Sequence, residues 1–427
     1  MFRHFGACFD MSGRRLTSIG TDALLVLLVF SSWFLFPVML KFLAYVEFQV
    51  GFALISIFVL AMLIRYSELN QLEWLPWHKW FVFFWLVYLL FLFSASFFSG
   101  SLYSLKQYCI IIYKVIFFAV LLIYMKRNFI IWSFRVYSNF MLFIVILASI
   151  VAIGIKFDLL HPIQYFAEKV TEHSQFFEVY WGAYYVVGGH RMQGFCEESG
   201  TFALTILPAF FWFIIVEKLY VRASFILMGV FFSHSTGGLW ELILSLGLAM
   251  KKKVFSKNVL RVLLLATFIL AIILSFSYLK ALFSSDFDFF LDKIRDFVSL
   301  PGRFQSILSS YEYLLVHPLG TGNALGMRTV DYPISVGYAN AMLEAGVIGG
   351  VSYLLMFALL FWKALKVCLS VNLLRTDGRV YFAVALTVMI VLLMGFQRQQ
   401  PDLSMWHMWI YASFFYLTMK KREAVHV

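Results

Sequence analysis

An arginine and two glutamates stand directly before a membrane-length apolar run, in the stretch HRMQGFCEESGTFALTILPAF at residues 190–210. Glu197 and Glu198 lie at the predicted start of a helix that begins at Ser199, where acidic side chains are favoured by capping and by the helix dipole. Arg191 is not explained in this way, because a cation is unfavourable near a helix N-terminus unless an anion lies close to it. The stretch therefore indicates either a local arginine–glutamate contact or a site for an anionic ligand at a membrane surface.

The composition is that of a polytopic membrane protein, since 62% of the residues are hydrophobic, 20% are aromatic and only 13% are charged. A membrane helix needs about 20 predominantly apolar residues. By this criterion about twelve predicted spans begin near residues 22, 47, 79, 106, 136, 199, 220, 237, 259, 339, 380 and 405. The spans near 220 and 237 are short and could instead form one re-entrant element. We therefore expect an all-α fold of about twelve transmembrane helices.

The positions of lysine and arginine predict the orientation, because short loops rich in these residues stay in the cytoplasm. They recur in every second connection, from Arg3 to the KKR sequence at 420–422, while the short outer loops hold almost none. The net charge of +11 is thus a topology signal, and nucleic-acid binding is not needed to explain it. Both termini are predicted to be cytoplasmic.

Two long outer loops divide the chain into five predicted parts. These are helices 1–5 in residues 1–155, an outer loop at 156–197, helices 6–9 in 198–280, a second outer loop at 281–337 and helices 10–12 in 338–427. Long loops in compact proteins are usually functional or disordered, and these two hold too many aromatic residues to be disordered. In the second loop, RFQSILSSYEYLLVH at 303–317 has apolar residues at the spacing of one helical face, which predicts an amphipathic helix.

The sequence contains no nucleotide-binding loop, dinucleotide fingerprint or zinc-ligand spacing, which argues against an ATP-driven or nicotinamide-dependent protein. An acidic group in the second outer loop is better explained as a solvated helix face than as a metal site, because hard cations prefer oxygen-rich loops. It consists of Asp286, Asp288, Asp292 and Asp296. We expect no metal and no cofactor.

Five short motifs follow one another in residues 188–350, all in predicted outer positions. They are R-x-x-G-F-x-x-E-S-G at 191–200, S-x-S-T-G-G at 233–238, G-R at 302–303, H-P-L-G-T-G at 317–322 and N-x-x-L-E-x-G-x-x-G at 340–349. In this order they resemble the O-antigen polymerases, the Wzy-type enzymes related to O-antigen ligases and other lipid-linked glycan transferases. The ligases generally carry a histidine before the asparagine of the last motif, whereas Ala339 stands there in this chain. This difference favours a polymerase.

The resemblance implies a multi-pass protein of the bacterial inner membrane with an architecture like that of C-type glycosyltransferases. Its substrates would be undecaprenyl-diphosphate-linked oligosaccharides, one as donor and one as acceptor, which react at the periplasmic face. A chain-length regulator and a flippase are further implied partners. The sugar–diphosphate bond is already activated, so the reaction needs no nucleotide. It needs positive charge for the leaving diphosphate and a base for the attacking hydroxyl group.

Arginines are the candidates for the diphosphate, because a guanidinium group matches phosphate oxygens bidentately. Arg191 and Arg303 are the first choices, one from each long outer loop, with Arg398 and Arg328 as further candidates. Glu198 is the favoured base because it matches the acidic position of the first motif. The alternative bases are Glu344 and His317, and the candidates for substrate binding are Glu197, Asn340 and Tyr338.

Two other functions stay open at this point. An O-antigen ligase would use the same donor but would transfer the glycan to the lipid A core. A flippase or other transporter could have as many spans, and Lys114 within the fourth span is the kind of intramembrane charge that transporters use. Transporters commonly carry internal repeats and midplane sites on discontinuous helices, however, whereas the candidate charges here gather in two unequal outer loops.

Overall fold

The computed structural model describes residues 72–156, 164–170, 173–180, 183–186, 199–233, 235–251, 310–322, 337–395 and 405–421. The predicted spans that begin near residues 22, 47 and 259 lie outside these ranges, as does the acidic group of the second outer loop. Each of the other predicted spans coincides with a helix. The protein is therefore predominantly helical, as the sequence predicts.

The helices follow the apolar runs closely. They are α1 Pro76–Phe98, α2 Leu102–Tyr124, α3 Arg127–Lys156, α4 Ser199–Trp212, α5 Tyr220–Phe232, α6 Thr236–Lys251, α7 Gly337–Ser370, α8 Thr376–Met394 and α9 Met405–Thr418. A π-helical turn, Phe213–Glu217, continues α4. Within the described ranges, five segments are long and apolar enough to cross a membrane, namely Pro76–Phe98, Arg127–Val151, Gly200–Glu217, Gly337–Ser370 and Thr376–Leu393. These features are those of a multi-pass membrane protein.

Local sequence explains several helix boundaries. Pro76 occupies the first turn of α1, where its missing N–H group is not needed. Ser101 caps α2, because its side chain accepts a hydrogen bond from the Ser104 amide at 3.4 Å. Lys218 ends the π-helical turn in the left-handed conformation, with φ of 58°, and so separates α4 from α5. The short spans predicted near 220 and 237 form helices of 13 and 16 residues on either side of Ser233 and Ser235, and each is shorter than a typical membrane span.

A three-stranded antiparallel sheet lies inside the first predicted outer loop and departs from the all-α expectation. Its strands are β2 Gln164–Val170, β3 His173–Tyr180 and β4 Ala183–Val186, with β3 in the centre. Phe166 pairs with Phe177, and Phe177 with Val186. Aromatic and β-branched residues fit such a pleated surface, and only two residues separate each pair of strands. A second, two-residue pairing joins β1 Leu72–Glu73 to β5 Lys420–Lys421.

Helix α4 is the centre of the described bundle. It contacts α3, α5, α6 and α8, and its side chains from Phe202 to Phe213 are almost fully buried. Around it, α7 packs along α1, and α9 packs against α2 and α8. The residues that begin α4 are therefore held by a rigid core element, which is what a precise site requires.

Helix ends that were predicted to be cytoplasmic lie together. The Arg135 guanidinium is 2.8 Å from the Glu217 carboxylate, which joins the beginning of α3 to the end of the π-helical turn. Arg127 forms an ion pair with Asp377 across the beginnings of α3 and α8. Arg222 donates a hydrogen bond of 2.7 Å to Asn139. These helix ends thus lie at one end of the bundle, as predicted. That this end faces the cytoplasm stays a prediction from the lysine and arginine positions.

His78 joins the beginning of α1 to the end of α9 at this same end of the bundle. Its Nδ1 accepts a hydrogen bond from the Leu75 amide at 3.0 Å, and its Nε2 lies 3.1 Å from the Thr418 hydroxyl. An imidazole that accepts at Nδ1 carries its proton at Nε2, so both nitrogens are used by a neutral ring. The buried His78 is therefore explained by structure and needs no catalytic role.

Cysteine labelling tests the predicted orientation. In a variant whose four native cysteines are replaced by serine, we expect Glu312→Cys to react with a membrane-impermeant maleimide in intact cells. Leu374→Cys, which lies in the turn between α7 and α8 and is 85% exposed, should react only after the inner membrane is permeabilised. The reverse pattern would show that the chain is inserted in the opposite orientation.

Candidate functional site

Two of the sequence motifs meet where α4 and α6 begin. Helix α4 starts at Ser199, as predicted, and a Cβ added to Gly200 would lie 3.5 Å from the Ser235 hydroxyl. Ser235 in turn caps α6, accepting a hydrogen bond from the Gly238 amide at 3.1 Å. A Cβ at Gly238 would come within 2.5 Å of Ala203. Gly238 therefore allows the starts of α4 and α6 to approach each other closely, whereas a Cβ at Gly200 would make only an ordinary contact.

Helix α7 is broken at Gly346, which has φ of 72° and ψ of −174°. Tyr338 and Tyr353 are 15 positions apart (353 − 338), which corresponds to about 22 Å along a straight helix. Their ring centroids are only 6.1 Å apart. Residues 337–345, which we call the arm of α7, therefore fold back along the longer part that begins at Val347. The tenth predicted span is thus a discontinuous helix.

The segment 318–322, which we call the latch, docks into this break. The Thr321 amide donates to the Leu343 carbonyl at 2.9 Å, and the Gly322 amide donates to the Glu344 carbonyl at 3.0 Å. In return the Val347 amide donates to the Pro318 carbonyl at 3.0 Å. Backbone groups that a break exposes inside a membrane protein must find such partners, because lipid offers none. The latch therefore stabilises the break.

Close backbone contact explains the glycines of these two motifs. Gly320 has φ of +85°, and a Cβ there would lie 2.6 Å from the Glu344 carbonyl oxygen. Gly322 has φ of +74°, and its Cβ would lie 2.9 Å from Cα of Ser96 near the end of α1. Both the conformation and the space exclude larger residues. The motifs H-P-L-G-T-G and N-x-x-L-E-x-G-x-x-G thus form one packed unit.

The arm carries two buried polar side chains. Asn340 and Glu344 are 8% and 7% exposed, and the Asn340 amide nitrogen donates to a Glu344 carboxylate oxygen at 3.3 Å. Tyr338 anchors the beginning of the arm, since its hydroxyl donates to the Leu392 carbonyl at 2.7 Å and its amide donates to the Gly395 carbonyl at 3.2 Å. The arm is therefore fixed at both ends, by α8 and by the latch.

The structure brings together three of the predicted site residues, Tyr338, Asn340 and Glu344. Tyr338, predicted to bind substrate, uses its hydroxyl to anchor the arm. His317 begins the turn that leads into the latch: its carbonyl accepts a hydrogen bond from the Gly320 amide at 3.0 Å, and its exposed ring lies 4.6 Å from that of Tyr313. The other predicted residues lie outside the described ranges; these are Arg191, Glu197, Glu198, Arg303, Arg328 and Arg398.

The amphipathic helix of the second outer loop is described only from residue 310. Residues 310–316 are helical, and the helix ends before the H-P-L-G-T-G sequence, as predicted. Leu314 is buried, but Tyr311 and Leu315, expected on the same apolar face, are 60% and 66% exposed. Only part of the predicted face is therefore covered by the described chain.

Two ionisable residues in predicted spans were missed by the sequence analysis. Glu241 in α6 and His407 in α9 are 2% and 3% exposed. The rule that singled out Lys114 applies equally to them, because intramembrane ionisable residues are functional candidates by default. Lys114 is half-buried on α2, which packs against α9.

Within the described ranges, no group of three or more histidine, cysteine, aspartate or glutamate residues is placed to hold a metal ion. No protein-family model matches the chain, and no curated protein sequence is significantly similar to it. Function is therefore inferred from the motifs and from the geometry that joins them.

Proposed function

We propose that this protein is a polymerase of lipid-linked glycan repeat units, of the O-antigen polymerase type, in the bacterial inner membrane. It transfers the growing glycan from undecaprenyl diphosphate to the non-reducing end of an incoming undecaprenyl-diphosphate-linked oligosaccharide. The observation that carries the proposal is the docking of the latch into the break of α7. Two motifs chosen only for their resemblance to this family are thereby parts of one folded unit.

The proposed reaction assigns a task to each side chain. The attacking hydroxyl oxygen of the acceptor forms a bond to the anomeric carbon of the donor, and the bond from that carbon to the diphosphate oxygen breaks. The bonding electron pair leaves with undecaprenyl diphosphate, whose developing charge Arg191 and Arg303 stabilise, with Arg398 and Arg328 as further contributors. Glu198 accepts the hydroxyl proton, and Glu344 and His317 are the alternative bases.

The latch gives the second outer loop a defined place in this scheme. Arg303 lies in the predicted helix that ends just before the latch, and His317 directly precedes the latch. Because the latch is hydrogen-bonded to the backbone of Leu343 and Glu344, movement of this loop is coupled to the position of the arm. A loop and a membrane helix that are tied in this way can present one site to a substrate whose lipid lies in the membrane and whose glycan lies outside it.

One observation favours a transporter as the second candidate. Discontinuous helices are typical of transporter sites, and α7 is discontinuous at Gly346. The two functions can be distinguished with purified protein, because a transporter in detergent does not elongate glycans. An O-antigen ligase is the third candidate and would need a lipid A core acceptor.

Two experiments separate these functions. Purified protein incubated with undecaprenyl-diphosphate-linked repeat units should convert them to a ladder of longer products without nucleotide. In cells that lack the gene, long glycan chains should disappear while single repeats remain attached to the core. Loss of all repeats from the core would instead indicate a ligase or a flippase, and an unchanged ladder would contradict all three functions.

The proposed base gives a specific prediction. Glu198→Gln retains the shape and capping capacity of the side chain but cannot accept the proton, so polymerisation by the purified variant should fall about 100-fold or more. The unfolding temperature should change little, because glutamine can cap the start of α4 as glutamate does. Normal product length and rate in this variant would leave Glu198 with a capping role and would move the base to Glu344 or His317.

A further inference from the structure

We propose that Asn340 and Glu344 bind a hydroxyl group of the acceptor sugar. This hydroxyl donates a hydrogen bond to the side-chain oxygen of Asn340. This inference rests on the proposed polymerase function and assigns the arm of α7 to the acceptor, not to the donor diphosphate.

The Glu344 carboxylate fixes the Asn340 amide. An amide nitrogen donates hydrogen bonds and an amide oxygen accepts them, so the nitrogen is the atom that faces an accepting carboxyl oxygen. This agrees with the contact of 3.3 Å between Asn340 Nδ2 and Glu344 Oε1. The opposite orientation would place two acceptor oxygens against each other. Asn340 Oδ1 is therefore directed away from the carboxylate.

Asn340 Oδ1 is buried and has no hydrogen-bond donor among the described residues. A buried carbonyl oxygen in this condition is unfavourable, and in a native protein it calls for a partner such as an ordered water, an ion or a bound ligand. The arm cannot easily turn to relieve it, because Tyr338 holds one end to α8 and the latch holds the other. The acceptor atom is thus held in place before any ligand arrives.

The chemistry of the pair selects the ligand. Asn340 Oδ1 and the Glu344 carboxylate are both hydrogen-bond acceptors, so they suit a group that donates, such as a sugar hydroxyl. They do not suit a diphosphate, whose oxygens are themselves hydrogen-bond acceptors. The diphosphate therefore belongs with the candidate arginines, and the acceptor glycan belongs with the arm.

The test compares Asn340→Ala with wild-type protein in polymerisation of purified lipid-linked repeat units. We expect the KM for the acceptor to rise about ten- to a hundredfold, with a smaller change in kcat. Asn372→Ala is the matched control, since this exposed asparagine bonds only its local turn in the described structure, at the Leu374 amide. Its KM should stay at the wild-type value.

A set of acceptors that each lack one hydroxyl of the terminal sugar identifies the contact. With wild-type protein, one of these acceptors should bind as weakly as the full acceptor binds to Asn340→Ala. With Asn340→Ala, the same acceptor should bind no more weakly than the full acceptor does. Equal, additive losses for every acceptor would overturn the inference and leave Asn340 a structural residue. A KM that changes with sodium concentration for every acceptor, whichever hydroxyl it lacks, would also overturn the inference, because the site would then bind a cation.

Two further outcomes keep the inference and the proposed function apart. An unchanged KM in an active Asn340→Ala enzyme contradicts only the inference. A wild-type protein that does not elongate the glycan contradicts the polymerase function and, with it, the inference. If Asn340→Ala does not insert stably, Asn340→Ser is measured in its place. The serine hydroxyl lies one bond closer to the backbone than either amide atom and cannot occupy the position of Oδ1, so the same rise in KM is expected.

Discussion

Replacing Gly346 with alanine is expected to abolish polymerisation and to destabilise the folded protein by at least about 3 kcal/mol. Gly346 has φ of 72° and ψ of −174°, a conformation that is essentially restricted to glycine. A Cβ there would lie 2.5 Å from the Pro318 carbonyl oxygen and 2.7 Å from the Gly320 amide nitrogen. These are backbone atoms and cannot rotate away. Either the break in α7 or the latch must therefore move.

Gly247→Ala is the matched control for this variant. Gly247 lies in α6, and a Cβ there would meet no heavy atom within 4 Å. Alanine is favoured over glycine in a helix by about 0.5 to 1 kcal/mol, so this control should be as stable as the wild type or slightly more so. The measurements are the unfolding temperature in detergent and the length of the glycan product. Wild-type stability and product length in Gly346→Ala would mean that the latch is not needed.

The helices could be predicted because the membrane makes their signal strong. A long apolar run has few alternatives to a helix in lipid, since every backbone group must be satisfied within the segment. The start of α4 could be predicted to the residue, because the change from Glu197 and Glu198 to an apolar run is abrupt at Ser199. The end of the helix at residue 316 was equally clear, because the H-P-L-G-T-G sequence follows directly.

The break in α7 could not be predicted in the same way. A glycine inside an apolar run is compatible with a continuous helix, and nothing near Gly346 in the sequence distinguishes it from Gly349 or Gly350. Its left-handed conformation is decided by the docking of Pro318 and Gly320, which lie more than 25 positions away in the sequence. Such a tertiary contact overrides local preference.

The sheet in the first outer loop did leave a signal in the sequence. Runs rich in tyrosine, phenylalanine and valine, separated by only two residues, are typical of antiparallel hairpins. In a chain with 20% aromatic residues, the same residues also fit contact with a membrane surface, so composition alone does not indicate a sheet. Spacing, and not composition, therefore carried the information about β2, β3 and β4.

The contact between Asn340 and Glu344 was predictable from the sequence, but its place in the fold was not. Asn340 and Glu344 are four positions apart, so their contact on one helix face follows from the sequence. That this face belongs to a short arm folded back on α7 does not follow, because it depends on the break. The spacing thus placed these two residues together, and only the structure joined the arm to the second outer loop through the latch.

Arg191→Lys is expected to slow polymerisation by about 30- to 900-fold, which corresponds to about 2 to 4 kcal/mol of lost transition-state stabilisation. Lysine keeps the positive charge but loses the planar pair of donors that matches two phosphate oxygens. The loss should appear in kcat, because the charge on the departing diphosphate develops only as the glycosidic bond breaks. Insertion and unfolding temperature should stay at the wild-type values.

Arg375→Lys is the control that separates this effect from a general loss of arginine. Arg375 is exposed, precedes α8 at the predicted cytoplasmic end and makes no side-chain capping hydrogen bond there, so the rate of this variant should be close to that of the wild type. A near-normal kcat in Arg191→Lys as well would mean that a point charge is sufficient at residue 191. Arg191 would then serve as a partner for Glu197 or Glu198 at the start of α4, and Arg303 would become the principal candidate for the diphosphate.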